Sequence, residues 1–364
     1  MKILHVHSDK KFITALRAYE NPDFENTLVF LGEPFENNIN AKFYPNTIAS
    51  FRTIAHVAKN YDLVVFFSLR LQHSVICNML PPNIKVAWRF FGAELYPYLH
   101  KDVLTKRSMG YYQTDTLHHI LSVIKNNLLY GASAEKLFWN AVRRCNFFFG
   151  LADTEYEYLQ SHFKCLPPFC SVPFETSDFP TIQYNKEPII MIGHSGDIYV
   201  NHLDVFESIK TLSCRDDYQY YTFLSYGNNS DKYKNAILHY TKDFSTLHVV
   251  TKFIPLNEYR HLQEKSTALV INSLRQIAMG NIFSAFRRGV KVYVHSNNVM
   301  LPWMRKHGFL VFTTDQFKQD LIDGNITLLP EEMDANVEAY RHLGELFSIE
   351  NFQKSLLNFV KSEK

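Results

Sequence analysis

Eleven short apolar runs, separated by helix-like stretches, constrain this chain more than any other feature. In the first half they are "KILHVH" (2–7), "NTLVFLG" (26–32), "DLVVFFS" (62–68), "IKVAWRF" (84–90) and "NFFFGL" (146–151). In the second half they are "PIIMIG" (188–193), "YYTFLS" (220–225), "LHVVT" (247–251), "ALVIN" (268–272), "VKVYVH" (290–295) and "FLVF" (309–312). Runs this short and this continuous, rich in branched and aromatic residues, are the signature of parallel strands buried on both faces. Segments such as 47–59 and 70–79 fill the gaps with helical spacing, so the rhythm is β-α-β. A chain of 364 residues is long enough to bury two cores. Two doubly wound α/β domains follow, and ligands of such sheets bind outside the carboxyl ends of the strands.

The Pro-rich stretch "CLPPFCSVPFETSDFP" (165–180) and the polar "TIQYNKE" after it mark a stiff connector. The boundary is placed there, giving residues 1–180 and 181–364 as two Rossmann-like domains facing across a cleft. The region from about 98 to 145 is mostly helical. Leu117, Ile120, Leu121, Ile124 and Leu128 recur at spacings of three and four, which predicts a core-facing stripe, with a membrane anchor as the alternative. The last helix, "IENFQKSLLNFV" (349–360), is expected to cross back to the first half.

A formal charge of +2 spread over the chain is no polycation, so nucleic acid is not an expected partner and any anion site must be local. Five cysteines (Cys77, Cys145, Cys165, Cys170, Cys214) without CxxC spacing suggest neither a zinc site nor a disulfide framework. The apolar start "MKILHVHS" is too short for a signal peptide, and no run of 18 apolar residues exists. A cytoplasmic protein is expected, with peripheral membrane contact left open. No Asp-x-Asp occurs, and His73 with Cys77 is only an i, i+4 pair, so neither a metal nor another cofactor is called for.

Three stretches carry chemistry. In "IIMIGHSGDIYVNHLDVF" (189–206), a buried strand gives way to a turn with Gly193, Ser195, Gly196 and Asp197, and then to a helix near Asn201 and His202. Glycines there let a diphosphate approach backbone amides. The alternative is a plain βα turn in which Asn201 caps the helix, with Asp204 completing a capping box. Asp197 suits a ribose or sugar hydroxyl, or a bond within the turn, better than phosphate. In "INSLRQIAMGNIFSAFRRG" (271–289), Arg275 and Gln276 follow a strand and Gly280–Asn281 opens a helix. A guanidinium at a strand's carboxyl end can fork onto phosphate, or simply pair with a surface carboxylate. Ile282, Phe283 and Phe286 are the buried stripe of that helix, and Arg287 and Arg288 belong to its C-terminus before Gly289. In "WRFFGAELY" (88–96), Glu94 lies just past a strand and is a candidate general base, or a first-turn helix residue. Asp9, His5 and His7, at the end of the first strand, compete for the same role. Tyr226 and Gly227 in "SYGNNSDKY" (225–233) offer ring and backbone to a nucleobase or ribose, or form a turn.

The order of "WRFFGAELY", "IGHSGDIYVNHL", "LSYGNNSDKY", "LRQIAMGN" and "VFTTDQF" resembles the 4-acetamido-4,6-dideoxy-galactosyltransferases, glycosyltransferase family 56. The likeness spans nearly the whole chain and is strongest in the second half. It implies a GT-B fold and transfer of Fuc4NAc from dTDP-Fuc4NAc to a polyprenyl-diphosphate-linked saccharide, the lipid II intermediate of enterobacterial common antigen. The family's Gly-x-Ser-Gly-Asp turn falls on Gly193, Ser195, Gly196 and Asp197, its helix start on Asn201 and His202, and its Arg-Gln…Gly on Arg275, Gln276 and Gly280. Glu94 stands where the family more often has Asp, and "KRSMGYYQTDTLHHILSVIKNN" (106–127) is longer than the family's counterpart.

The resemblance further implies a metal-independent transferase whose first domain holds the acceptor and whose second holds the nucleotide sugar. The Gly193–Gly196 amides, Arg275 and the helix at Gly280–Asn281 would neutralise the leaving diphosphate. The enzyme would act at the cytoplasmic face of the bacterial inner membrane, where Lys101, Lys106, Arg107, Lys125, Lys136, Arg143 and Arg144 can meet anionic headgroups. A UDP- or GDP-sugar donor, a non-catalytic GT-B scaffold subunit and a nucleotide-sugar epimerase are the alternatives.

Overall fold

In the computed structural model, residues 1–35, 40–113, 116–174, 182–227, 231–242 and 244–361 are described. The first sheet contains β1 (Lys2–His7), β2 (Glu25–Leu31), β3 (Ala41–Tyr44), β4 (Leu63–Phe67), β5 (Lys85–Arg89), β6 (Phe147–Gly150) and β7 (Phe169–Ser171), in the order β3-β2-β1-β4-β5-β6-β7. The second contains β8 (Glu187–Ile192), β9 (Gln219–Phe223), β10 (Leu247–Val250), β11 (Ser266–Ile271), β12 (Lys291–Val294) and β13 (Val311–Thr313), ordered β10-β9-β8-β11-β12-β13. Every neighbouring pair is parallel. Helices connect successive strands within each sheet, except that none is described between β2 and β3, and each sheet reverses direction at one point, between β1 and β4 and between β8 and β11.

All eleven apolar runs carry a strand, and the central ones are buried along their whole length, as in β4 and β11. Burial on both faces is why those runs are continuous rather than alternating. Two strands have no such run. β3, at the sheet edge, is only partly buried, and β7 is three residues inside the Pro-rich connector. The expected boundary near residue 180 lies outside the described residues.

The chain forms two compact units. The first comprises Met1–Glu94, Thr114–Glu175 and Leu346–Lys364; the second comprises Leu95–Gln113 and Thr176–Glu345. In the first unit the terminal helix Ile349–Lys361 buries Phe352 and Leu356 against Tyr19, Phe147 and Phe149. Gln353 fixes its seat: Nε2 donates to the carbonyls of Ala18 and Glu20, both at 3.0 Å, and Oε1 accepts from Asn21 Nδ2 at 2.7 Å.

The helix Thr116–Tyr130 departs from expectation. Ile120, Leu121, Ile124 and Leu128 face solvent instead of a core, and Asn126 is the buried residue. The Leu117 side chain lies outside the described residues. The helix turns its polar edge inward, and Tyr130 at its end meets Phe51 of the Ile48–Val57 helix at 6.4 Å.

In the second unit, Leu95–Gln113 packs against the helix His202–Lys210. Thr105 N and Oγ1 donate to Asn201 Oδ1 and Asp204 Oδ2 at 3.1 and 2.6 Å, and Arg107 pairs with Glu207 at 3.4 Å. Lys101 and Lys106 therefore belong with this unit, whereas Arg144 in the first unit donates to the carbonyls of Pro81 and Ile84. The second core gathers Ile190, Ile192, Phe206, Ile209, Tyr220 and Tyr293. Among the described residues, no helix is long and apolar enough to cross a membrane.

Candidate functional site

The second sheet reverses between β8 and β11, and a crevice outside the carboxyl ends of two such strands is where doubly wound sheets bind ligands. β8 ends at Ile192, and Gly193 takes a positive φ of 71°. A Cβ there would sit 2.5 Å from His202 Nε2, so only glycine lets the turn close over the helix. The Gly193 amide donates to Val270 O at 2.8 Å and the Gly196 amide to Tyr226 O at 2.7 Å. Those two amides, expected to cradle a diphosphate, are thus engaged within the fold. Gly227, at φ 113°, holds the loop after β9 against the same turn, where a Cβ would lie 2.8 Å from Asp197 N.

Asn201 does not cap the helix as a capping box would. It adopts a left-handed conformation with φ 53°, and its side chain makes no cap bond. Its Nδ2 instead donates to Asn272 O at 3.1 Å, and Asn272 Nδ2 returns a bond to Asn201 O at 3.2 Å. This reciprocal pair, fully buried, ties the ends of β8 and β11 together. Asp204, the other half of the expected box, accepts from Thr105. His202 opens the helix, and its amide donates to Tyr233 OH at 3.0 Å.

Arg275 is the buried charge at this reversal. It is 8% exposed and follows β11. Its Nη2 lies 3.7 Å from Asp197 Oδ2, and its guanidinium sits over the rings of Tyr199 and Tyr96 at 4.6 and 5.3 Å. Nη1 donates to Gln276 O at 3.3 Å, and the buried Nε has no partner. A guanidinium has five N–H donors, and a single long carboxylate contact leaves a buried cation under-satisfied. Asp197 Oδ1 accepts from Tyr199 N at 3.0 Å, a bond within the turn.

The helix Met279–Arg287 starts beside Arg275, and its first turn is left open because nothing lies within 4 Å of a Cβ placed at Gly280. Tyr226, half exposed, hydrogen-bonds the Asn281 side chain, which links the β9 loop to that helix. Arg287 stacks on Tyr340 at 4.9 Å and Arg288 bonds Glu264, so both are engaged elsewhere in the fold. Asn228, Asn229 and Ser230 of the "SYGNNSDKY" stretch lie outside the described residues. Three contributors had no sequence signal of their own: His194, Tyr199 and Asn298. Burial, followed by the nearby Arg275 charge, lowers His194 to about 3, so it is neutral at ordinary pH. Asn298 Nδ2 holds the Arg275 loop through Ser273 O at 2.5 Å.

The other candidates lie at the reversal of the first sheet. Asp9 follows β1, accepts from Lys11 N at 3.1 Å and pairs with Arg70 at 3.5 Å, with a partly exposed carboxylate. Glu94 Oε1 accepts from Trp88 Nε1 at 3.2 Å and Leu69 N at 3.3 Å, and burial raises its pKa. His5 bonds Asn26 and is lowered by burial to about 4, while His7 stacks on Phe67 at 3.7 Å. Both rings are core residues. The five cysteines are free. Among the described residues, no group of three or more His, Cys, Asp or Glu side chains is placed to hold a metal ion.

No family model matches the chain, and no curated protein matches it by sequence. Solved structures do match it in shape. Sucrose-phosphate synthase from Thermosynechococcus elongatus superposes with a TM-score of 0.66 at 10% identity, covering 100% of this chain and 98% of its own. The lipopolysaccharide outer core galactosyltransferase WaaB gives 0.62 at 10%, and Anabaena HepE in complex with UDP gives 0.60 at 10%, each covering 100% of both chains. At such identities the likeness is one of fold, and the fold it shows is that of the GT-B glycosyltransferases.

Proposed function

We propose that this protein is a glycosyltransferase that takes its sugar from a nucleotide donor held at the β8–β11 reversal of the second unit. The observation that carries the proposal is Arg275: a buried guanidinium at a strand's carboxyl end, under-satisfied at Nε and beside the open first turn of the Met279–Arg287 helix. A diphosphate would complete it. The cation and the helix N-terminus would take up the negative charge that grows on the leaving nucleotide, in a buried setting where such donors are each worth about 3 kcal/mol. Ser195 Oγ adds a hydroxyl donor, and Tyr226 offers a half-exposed ring to the base. The neutral His194 packs against Tyr226 and leaves Arg275 as the cation of the turn. UDP is the nucleotide held by two of the similar structures.

For the finer reading we take the donor as a dTDP-linked deoxyamino sugar like Fuc4NAc and the acceptor as a polyprenyl-diphosphate-linked saccharide. Transfer would need no metal and would occur at the cytoplasmic face of the inner membrane. These choices rest on the sequence resemblance. As base for the acceptor hydroxyl, Asp9 is better placed than Glu94. Its carboxylate reaches solvent, whereas Glu94 is occupied by Trp88 and Leu69 and favours its protonated form. The test is turnover: release of dTDP or UDP from the matching sugar donor with a polyprenyl-diphosphate saccharide present. Acceptor-dependent release that Asp9→Asn lowers by about a hundredfold or more supports the reading. A folded protein that releases nothing from any donor overturns it.

A further inference from the structure

The helix Thr116–Tyr130 carries its apolar side outward. Ile120, Leu121, Ile124, Leu128 and Leu129 are 50, 57, 52, 82 and 50% exposed, whereas Asn126 on the opposite side is 5% exposed and donates to Ser122 Oγ at 3.2 Å. At 100° per residue the first four fall within one arc. A surface helix ordinarily buries that arc, and a contiguous apolar patch left on a surface marks a partner or a membrane.

Charge chooses between them. From Thr116 through Ala134 the chain has no Asp or Glu, and Lys125 is exposed at the edge of the arc. The Ile48–Val57 helix, which meets this one through Phe51 and Tyr130, also has no acid and exposes Arg52. Lys136 and Arg143 are exposed on the next helix, Ala134–Arg144, where Glu135 is the one acid. Protein interfaces favour aromatic anchors, but this arc is aliphatic throughout. Aliphatic side chains with Lys125 at their edge, on an acid-free helix too short to span, match the pattern of a helix lying in the plane of an anionic bilayer.

We propose that the Ile120–Leu129 face docks this protein onto an anionic lipid surface, with the aliphatic arc entering the acyl boundary and Lys125 meeting the headgroups. The proposal takes the lipid-linked acceptor one step further and rests on that reading only for the choice of a bacterial-type lipid. It is tested by cosedimenting the full chain with phosphatidylglycerol/phosphatidylethanolamine vesicles and with phosphatidylcholine vesicles, wild type against Leu121→Ser/Leu128→Ser. Both leucines are exposed, so the variant should fold, as a thermal melt would verify. Binding to the anionic vesicles that falls by roughly tenfold for each leucine removed, and that weakens with salt, supports the proposal. Wild-type protein that stays in the supernatant overturns it, as does equal binding by the variant. A lipid-free dimer that the same double variant dissociates also overturns it, in favour of a second copy on this face. Nucleotide binding measured on both proteins separates the two proposals. Vesicle binding without nucleotide binding sinks the transferase and leaves the docking face standing.

Discussion

Mild acid should unfold this protein well before its carboxylates titrate. His194 and His202 in the second unit are held near 3, and His5 and His73 in the first at about 4 and 3, in each case chiefly by burial; His7 is also well below its ordinary value. In an unfolded chain these rings protonate near 6.5. Below that pH the unfolded state binds protons that the folded state refuses, so stability falls as pH falls, by about 1.4 kcal/mol per pH unit for each ring. For the second unit, His194 and His202 together give a slope of about 3 kcal/mol per pH unit, a large share of the roughly 5–15 kcal/mol that holds a domain together. In the first unit three rings act in the same direction, but Glu94, whose pKa is raised by burial, opposes them, so the second unit is the cleaner test. Urea melts between about pH 7 and about pH 5.5, read by hydrogen exchange on peptides from each unit, would measure both slopes. A second-unit stability that is flat across this range would refute the burial argument, as would His194 and His202 ring resonances that titrate near 6.5 in the folded protein.

Asn201→Ala removes the side-chain bond to Asn272 O and the acceptor for Thr105, leaves Asn272 Nδ2 its bond to the main-chain carbonyl of residue 201, and puts a Cβ-only residue at φ 53°. A loss of about 2–4 kcal/mol in urea melts is expected, with the β8 and β11 turns exchanging hydrogen faster. Gly227→Ala forces a methyl within 2.8 Å of Asp197 N at a φ that L-residues avoid. It should cost about 1–3 kcal/mol of stability and weaken nucleotide binding, because the β9 loop must lift off the turn that carries Asp197; unchanged affinity by titration would separate that loop from the site.

The architecture was legible because strands buried on both faces leave unbroken apolar runs, and every such run became a strand. β3 and β7 lacked that signal since an edge strand and a three-residue strand bury too little. Periodicity located the Thr116–Tyr130 helix but misjudged its facing. A helical stripe says which residues share a side and nothing about where that side points. Asn201 shows a related limit: Asn followed by Asp three residues later reads as a local capping box, but residues some seventy and a hundred positions away claimed both side chains. Arg275 was legible from its place after a strand. The Tyr96 and Tyr199 rings that hold it were not, because tertiary packing brings Tyr96 in from Leu95–Gln113 and Tyr199 from the turn after β8.

The central claim is a nucleotide diphosphate on Arg275. Calorimetric titration of the protein with dTDP, UDP and GDP, repeated on Arg275→Ala shown to be folded, tests it most directly. Binding of dTDP that weakens by about tenfold or more in the variant, a loss near 1.4 kcal/mol, is expected. Preference for UDP or GDP with the same loss would keep the site and replace the donor. Equal affinity in both proteins, or no binding of any nucleotide by the folded wild type, would contradict the account.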